Sequence, residues 1–152
     1  MTATAHAIVG TMIAARFVDP VISLPLALGS HYLFDLVPHW DSGTHLRQKS
    51  NRRFIYEAFI DGGIAFIVSG FVFYYLFQRT DFFYLYLVVG FSVLPDILTV
   101  ITRFMFKIKN PLWDWNNRLQ SKLNRRLGLP WGILTQIIVV GVVYILLFTI
   151  FI

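Results

Sequence analysis

Residues 20–41 read PVISLPLALGSHYLFDLVPHWD, an apolar run that ends in two histidines and two carboxylates. Pro20 and Pro38 bound a helix that we predict over residues 20–37, because proline fits a first helical turn and disfavours helical backbone in the residue before it. Ionisable groups inside hydrocarbon cost several kcal/mol unless they are paired, hydrated or bound to a cation. The polar end of this helix is therefore the first place to look for function.

The composition of the chain indicates an all-α integral membrane protein. Of its 152 residues, 57% are hydrophobic and 14% are charged, whereas soluble domains carry about 25% charged residues. We expect a single helical domain over residues 1–152. The chain has no cysteine, which excludes disulfides, thiolate zinc sites and cysteine nucleophiles.

Apolar segments separated by polar turns predict about five hydrophobic helices, of which the first two form a short hairpin. A membrane-spanning helix needs about 20 residues. The predicted helices cover residues 3–18, 20–37, 54–77, 82–106 and 130–152. A polar and basic segment with leucines and tryptophans at helical spacing, residues 111–127, is predicted to form an amphipathic helix in the membrane interface.

Two basic stretches contain most of the 13 lysines and arginines. Their basic residues are Arg47, Lys49, Arg52 and Arg53 in the first stretch and Lys107, Lys109, Arg118, Lys122, Arg125 and Arg126 in the second. The positive-inside rule predicts that both stretches and the N-terminus lie on the cytoplasmic side of a multi-pass protein. We expect the basic loops to contact membrane lipids through their anionic headgroups, and we expect no nucleic-acid partner.

Ionisable residues of four predicted helices lie at a similar depth. His6 is near the cytoplasmic start of the first helix, and His31 is near the cytoplasmic end of the second. At 1.5 Å per residue, Asp61 lies roughly 10 Å and Asp96 roughly 15 Å from the cytoplasmic end of its helix. Unrelated polar residues would not be expected to converge in this way, so the pattern predicts one shared site.

The residue types and their spacing predict that this site binds a metal. His31 and Asp35 are four positions apart and share a helical face, which suits two ligands of one cation. Nitrogen and oxygen ligands together favour a divalent metal, with zinc or manganese the best candidates, and the set is large enough for one or two ions. The predicted ligands are His6, His31, Asp35, His39, Asp61 and Asp96.

Each of these residues also has a simpler interpretation. The helical His–Asp pair could be a buried hydrogen-bonded pair without a metal. Asp61 and Asp96 could instead form structural ion pairs, for which Arg16 and Arg103 are candidate partners. The histidine and aspartate that follow Pro38 could be ordinary loop residues.

Three segments of the chain resemble a known family. They are AHAIVG at residues 5–10, GSHYLFDLVPHWD at residues 29–41 and GFSVLPDIL at residues 90–98. These segments resemble small prokaryotic membrane proteins described as membrane-bound metal-dependent hydrolases, a group related to the LexA-binding, inner-membrane-associated hydrolases. The resemblance implies a helical protein of the prokaryotic cytoplasmic (inner) membrane. The metal site that it implies comprises His6, His31, Asp35 and Asp96. The chain lacks the second histidine-rich element of the named group.

Sequence and resemblance together favour a metal-dependent hydrolase that acts on a lipid phosphate or a similar amphiphile at the cytoplasmic leaflet. In this hypothesis the metal activates water, Asp35 is a catalytic ligand and Asp61 is the general base. A non-catalytic metal- or lipid-binding scaffold is the first alternative, and the missing histidine element favours it. A small ion-coupled carrier is the second alternative, because intramembrane aspartates and histidines also form proton relays.

Overall fold

The computed structural model describes residues 1–150, apart from the side chains of Arg47 and Ile150. Within that range the chain is helical and has no β-strand. The helices are α1 (Ala3–Arg16), α2 (Pro20–Asp35), α3 (Asn51–Tyr75), α4 (Phe82–Thr99), α5 (Pro111–Leu123) and α6 (Trp131–Ile145). Two of them continue as π-helical turns, α4 into Val100–Met105 and α6 into Leu146–Ile150, and a 3-10 turn covers Leu46–Gln48. Residues 151–152, the end of the last predicted helix, lie outside the described residues.

Three helices are long and apolar enough to cross a membrane. They are Asn51–Tyr75, Phe82–Met105 and Trp131–Thr149, with mean hydropathies of 1.6, 1.9 and 2.3. The other two apolar helices, α1 and α2, have 14 and 16 residues, fewer than the roughly 20 needed to span hydrocarbon. The helical membrane class is therefore supported, with three candidate spans, but the predicted count of about five hydrophobic helices is not confirmed.

The observed helix ends follow local capping chemistry. The Ser50 side chain accepts a hydrogen bond from the Arg53 amide, so α3 begins at Asn51, three residues before the predicted start. Pro95 lies inside α4, where it removes one backbone hydrogen bond. The helix nevertheless runs through this proline to Thr99 and then widens into the π-helical turn.

Helix α1 occupies the centre of the molecule and packs against α2, α3, α4 and α6. It is built largely from small and β-branched residues, and those from Val9 to Ala15 are all buried. Small residues let helix backbones approach closely in lipid. At Gly10 an added Cβ would lie 2.6 Å from Ser92 Oγ and 3.3 Å from Val89 Cα, so this glycine sets the distance between α1 and α4.

We expect Gly10→Val to lower the free energy of unfolding by about 1–3 kcal/mol, the usual cost of overpacking a filled core. Thermal unfolding of the purified protein in detergent micelles would measure the change. Gly141→Val in α6 is the matched control, because an added Cβ there meets no atom within 4 Å. Equal stability of the two variants would show that α1 and α4 are not in this close contact.

Candidate metal centre

Three histidines and an aspartate from different parts of the chain meet at one buried point. His6 comes from α1, His31 and Asp35 from α2, and His39 from the segment after α2; each is at most 1% exposed. The rings of His6 and His31 are stacked, with centroids 4.0 Å apart. Buried groups of this polarity need partners, so the contacts of each ring nitrogen decide what the cluster can do.

Asp35 lies at the centre of the cluster. Its Oδ1 is 3.1 Å from His6 Nε2 and 3.7 Å from His39 Nε2, and its Oδ2 is 3.5 Å from His31 Nε2. The Met1 amino group also forms an ion pair with Oδ1. His31 lies one helical turn before Asp35 on the same face of α2. Helix α2 ends at Asp35, and His39 reaches the carboxylate from the non-helical segment that follows.

The contacts of Nδ1 in His31 and His39 show which nitrogen of each ring carries a hydrogen. His31 Nδ1 is 2.8 Å from the Ser92 carbonyl oxygen, and His39 Nδ1 is 2.7 Å from the Val37 carbonyl oxygen. A carbonyl can only accept, so each Nδ1 carries a hydrogen, and in the tautomer with this single ring hydrogen Nε2 has the lone pair. Metal-ligating histidines are held by this same contact, in which the non-ligating nitrogen donates to a carbonyl or carboxylate.

The bare nitrogen of His39 has no donor among residues 1–150. It faces Asp35 Oδ1 at 3.7 Å and Asp41 Oδ2 at 3.9 Å. Burial lowers the pKa of His39, which favours the neutral ring. A lone pair that faces two carboxylate oxygens is repelled unless a cation or a proton lies between them. The donor set therefore fits a divalent cation.

A second group of ligands lies on the other side of Asp35. One ligand atom from each of His6, His31 and Asp96 falls within 4.8 Å of the other two. Neighbouring ligands on a tetrahedral ion with bonds of about 2.0–2.1 Å are roughly 3.3 Å apart. Small side-chain movements would thus close this group around one ion. Asp35, which contacts histidines of both groups, has the position of a carboxylate that bridges two ions.

Helix α5 contributes residues to the centre that the sequence did not predict. Gln120 Nε2 donates to Asp96 Oδ1 at 3.0 Å and lies 3.3 Å from His31 Nε2. One turn earlier, Asn116 is also buried, and its Nδ2 donates to the Pro95 carbonyl oxygen at 3.4 Å. The amphipathic helix thus turns its amide face inward and exposes Leu112 and Trp115. The spacing of Asn116 and Gln120, four positions apart, is the signal that could have revealed this face.

The segment after α2 is held in place by residues that follow α5. The His39 amide donates to the Arg125 carbonyl oxygen at 2.9 Å, and the Leu127 amide donates to the His39 carbonyl oxygen at 2.6 Å. Asp41 accepts from Asn124 Nδ2 at 3.0 Å and pairs with Arg126 Nε at 3.4 Å. These contacts bury the histidine and aspartate of this loop, so they are parts of the centre rather than solvated loop residues.

Asp61 has partners that differ from the predicted ones. Its Oδ2 accepts from the Ala3 amide at 2.7 Å, and its Oδ1 accepts from the Thr4 amide at 3.1 Å and the Thr4 hydroxyl at 2.6 Å. A carboxylate at a helix N-terminus is stabilised by the unpaired amides and the helix dipole. Asp61 therefore anchors the start of α1, which carries His6. None of these contacts is with a histidine of the cluster, and the predicted roles of Asp61 as metal ligand and general base stay predictions.

A cavity of about 640 Å³ opens beside the centre. Of the cluster, Asp41, Asp96 and Gln120 line it, and it runs between α3 and α4 on both sides of Asp96, with Asp61 also in its lining. The histidines are fully buried, so these three side chains are the part of the cluster that a molecule in the cavity would meet first.

No protein-family model matches this chain, and neither a curated protein nor a solved structure shows significant similarity to it. The function is therefore inferred from the geometry of the centre.

Proposed function

We propose that this protein is a membrane-embedded, metal-dependent hydrolase that acts on a lipid phosphate or a similar amphiphile. The His31 and His39 rings carry the proposal: each Nδ1 is held by a backbone carbonyl, each Nε2 faces carboxylate oxygens, and His39 Nε2 has no hydrogen-bond partner among the described residues. The first ion would be held by His6, His31 and Asp96. A second ion would be held by His39 and Asp41, with Asp35 between the two.

A bound zinc or manganese ion would polarise a phosphoryl oxygen and acidify water at neutral pH. The protein residues supply the surroundings of that chemistry. Asp41, Asp61 and Asp96 line the cavity. Asp41 and Asp96 also face the histidines, and they would accept a proton from water. Gln120 holds the Asp96 carboxylate, and Arg126 brings a positive charge to the same end of the cavity, where it would attract an anionic group.

The proposal extends to the orientation of the protein. The basic stretches flank the predicted spans and would lie on the cytoplasmic face of a prokaryotic inner membrane, next to anionic headgroups. The N-terminus would lie on the same face. The resemblance of the segments around His6, His31 and Asp96 to membrane-bound metal-dependent hydrolases agrees with this proposal.

A non-catalytic metal- or lipid-binding protein is the second candidate. Two contacts favour it: the Met1 amino group pairs with Asp35, and the Gln120 amide lies 3.3 Å from His31 Nε2. Asp35 and His31 thus have polar partners within the protein even without an ion.

Phosphate release from long-chain alkyl phosphates and phosphatidic acid would separate the two candidates. We expect release by the purified protein in lipid nanodiscs to stop when a chelator is added and to return with zinc or manganese. Asp96→Asn should lower the rate by about 100-fold or more, since removal of a group that acts on the reacting centre typically costs 10²–10⁴-fold. His45→Asn is the control, because His45 is exposed and has the positive φ of 59° that asparagine tolerates. Bound metal without phosphate release would reject the hydrolase and support the second candidate.

A further inference from the structure

The cavity beside the metal centre continues as an apolar groove between α3 and α4. Its lining combines Asp96, Asp41 and Gln120 with Val89, Val93 and other apolar residues of the two helices, and it extends along α4 from Tyr86 past Asp96 to Met105. Both helices belong to the candidate spans, so the groove lies in the part of the protein that faces hydrocarbon. One groove thus joins a metal site to a surface that contacts lipid.

An aromatic pair crosses the groove at its far end. The rings of Phe66 and Tyr86 stack with centroids 4.2 Å apart, and the Tyr86 hydroxyl donates to the Phe66 carbonyl oxygen at 3.2 Å. Both residues line the cavity. From Tyr86 to Asp96 the helix rises by about 15 Å, which is half the roughly 30 Å thickness of bilayer hydrocarbon. The part of the groove between Asp96 and Tyr86 therefore has the length of one leaflet.

Three glycines keep the groove wide. Gly62, Gly63 and Gly90 line it, and an added Cβ at any of them would meet no atom within 4 Å. Glycine inside a helix costs about 0.5–1 kcal/mol relative to alanine. Within the described chain no close helix contact requires these glycines, unlike Gly10. Their effect is to leave space beside the helix backbones.

The polar lining of the cavity carries charges of both signs. Arg103 and Arg126 line it together with Asp41, Asp61 and Asp96, and Arg126 Nε lies 3.4 Å from Asp41 Oδ1, with its side chain 43% exposed. An occupant with an apolar chain matches the apolar lining, and a phosphate head at Asp96 would be held by the proposed metal ion with Arg126 nearby.

We infer that the groove between α3 and α4 holds one hydrocarbon chain of a phosphorylated amphiphile, with the phosphate at the Asp96 end and the chain reaching towards Tyr86. The inference rests on the proposed function. It defines the substrate as a molecule that enters the groove laterally from one leaflet of the bilayer. Gly62, Gly63 and Gly90 are then determinants of chain binding. Burial of each methylene strengthens binding roughly fourfold, so the loss of space for three methylenes weakens it by about 50-fold or more.

The test compares Gly90→Leu, which fills the groove, with Gly141→Leu, whose added side chain lies on α6 outside it. Each protein is placed in nanodiscs that contain a long-chain alkyl phosphate with a photoreactive group in its chain. In the wild-type protein and in Gly141→Leu we expect cross-links to α3 and α4. In Gly90→Leu we expect them to fall by about 50-fold, while the metal content stays unchanged.

The outcomes separate this inference from the proposed function. Cross-linking that is equal in Gly90→Leu and Gly141→Leu would overturn the groove as a chain site. An absence of lipid cross-links to α3 and α4 in the wild-type protein would also overturn it. Cross-linking without phosphate release would reject the hydrolase and leave the groove standing. If phosphate is released, the ratio of long-chain to short-chain turnover should fall in Gly90→Leu.

Discussion

His31→Gln is expected to weaken metal binding by more than about 100-fold. His31 Nε2 faces both Asp35 and Asp96, at 3.5 Å and 3.6 Å, and it belongs to the group that can close on one ion. Mutation of a residue that only orients a metal ligand lowers metal affinity by about 10–100-fold. Loss of the ligand itself should therefore lower it by more than that. Isothermal titration calorimetry of the metal-free protein with zinc would measure the change in affinity.

The control for this substitution is His45→Asn, which removes an exposed histidine from the loop before α3. It tests whether zinc binds adventitiously to a surface imidazole. If His31→Gln binds zinc as tightly as the wild-type protein while His45→Asn does not, the buried cluster is not the metal site.

Asp35→Asn is expected to abolish stabilisation by metal. A ligand that binds only the folded state at a free concentration 100 times its dissociation constant stabilises the protein by about 2.7 kcal/mol. Asparagine preserves the shape of the buried aspartate, which is 1% exposed, but it removes the charge that faces all three histidines. The melting temperature of the wild-type protein should therefore rise with zinc or manganese, and that of the variant should not.

This comparison uses the difference between the metal-loaded and metal-free forms of each protein. A general loss of stability, for example from the broken ion pair with the Met1 amino group, cancels in that difference. An equal rise in melting temperature for both proteins would show that Asp35 does not contribute to ion binding.

Sequence reasoning located the residues whose positions depend on a single helix. The spacing of His31 and Asp35 places both on one face whatever the rest of the fold does, and the structure brings them together at 3.5 Å. Depth along a helix is equally local, and His6 and Asp96 lie at the same level as this pair. The contacts of Asp61 could not be predicted in this way. Depth gives the height of a residue in the bundle but not the direction of its side chain, and Asp61 points to the start of α1.

The remaining parts of the centre depend on contacts between distant segments. His39 and Asp41 are buried because their loop is bound by residues 124–127, which no local pattern reveals. Gln120 was missed because an amphipathic helix next to a membrane is normally expected to bury its apolar face in lipid. In this protein the opposite, amide-bearing face packs on the metal centre, and it became recognisable only once α5 was placed against α4.

X-ray anomalous scattering from crystals of the zinc-loaded protein tests the metal centre most directly. The predicted result is an anomalous peak within about 2.0–2.2 Å of His31 Nε2 and of an Asp96 oxygen. A second peak at His39 would indicate the two-ion form. The contradicting result is density without a metal, in which His31 Nε2 keeps its contact with the Gln120 amide and His39 Nε2 accepts a hydrogen bond from water or a protein donor.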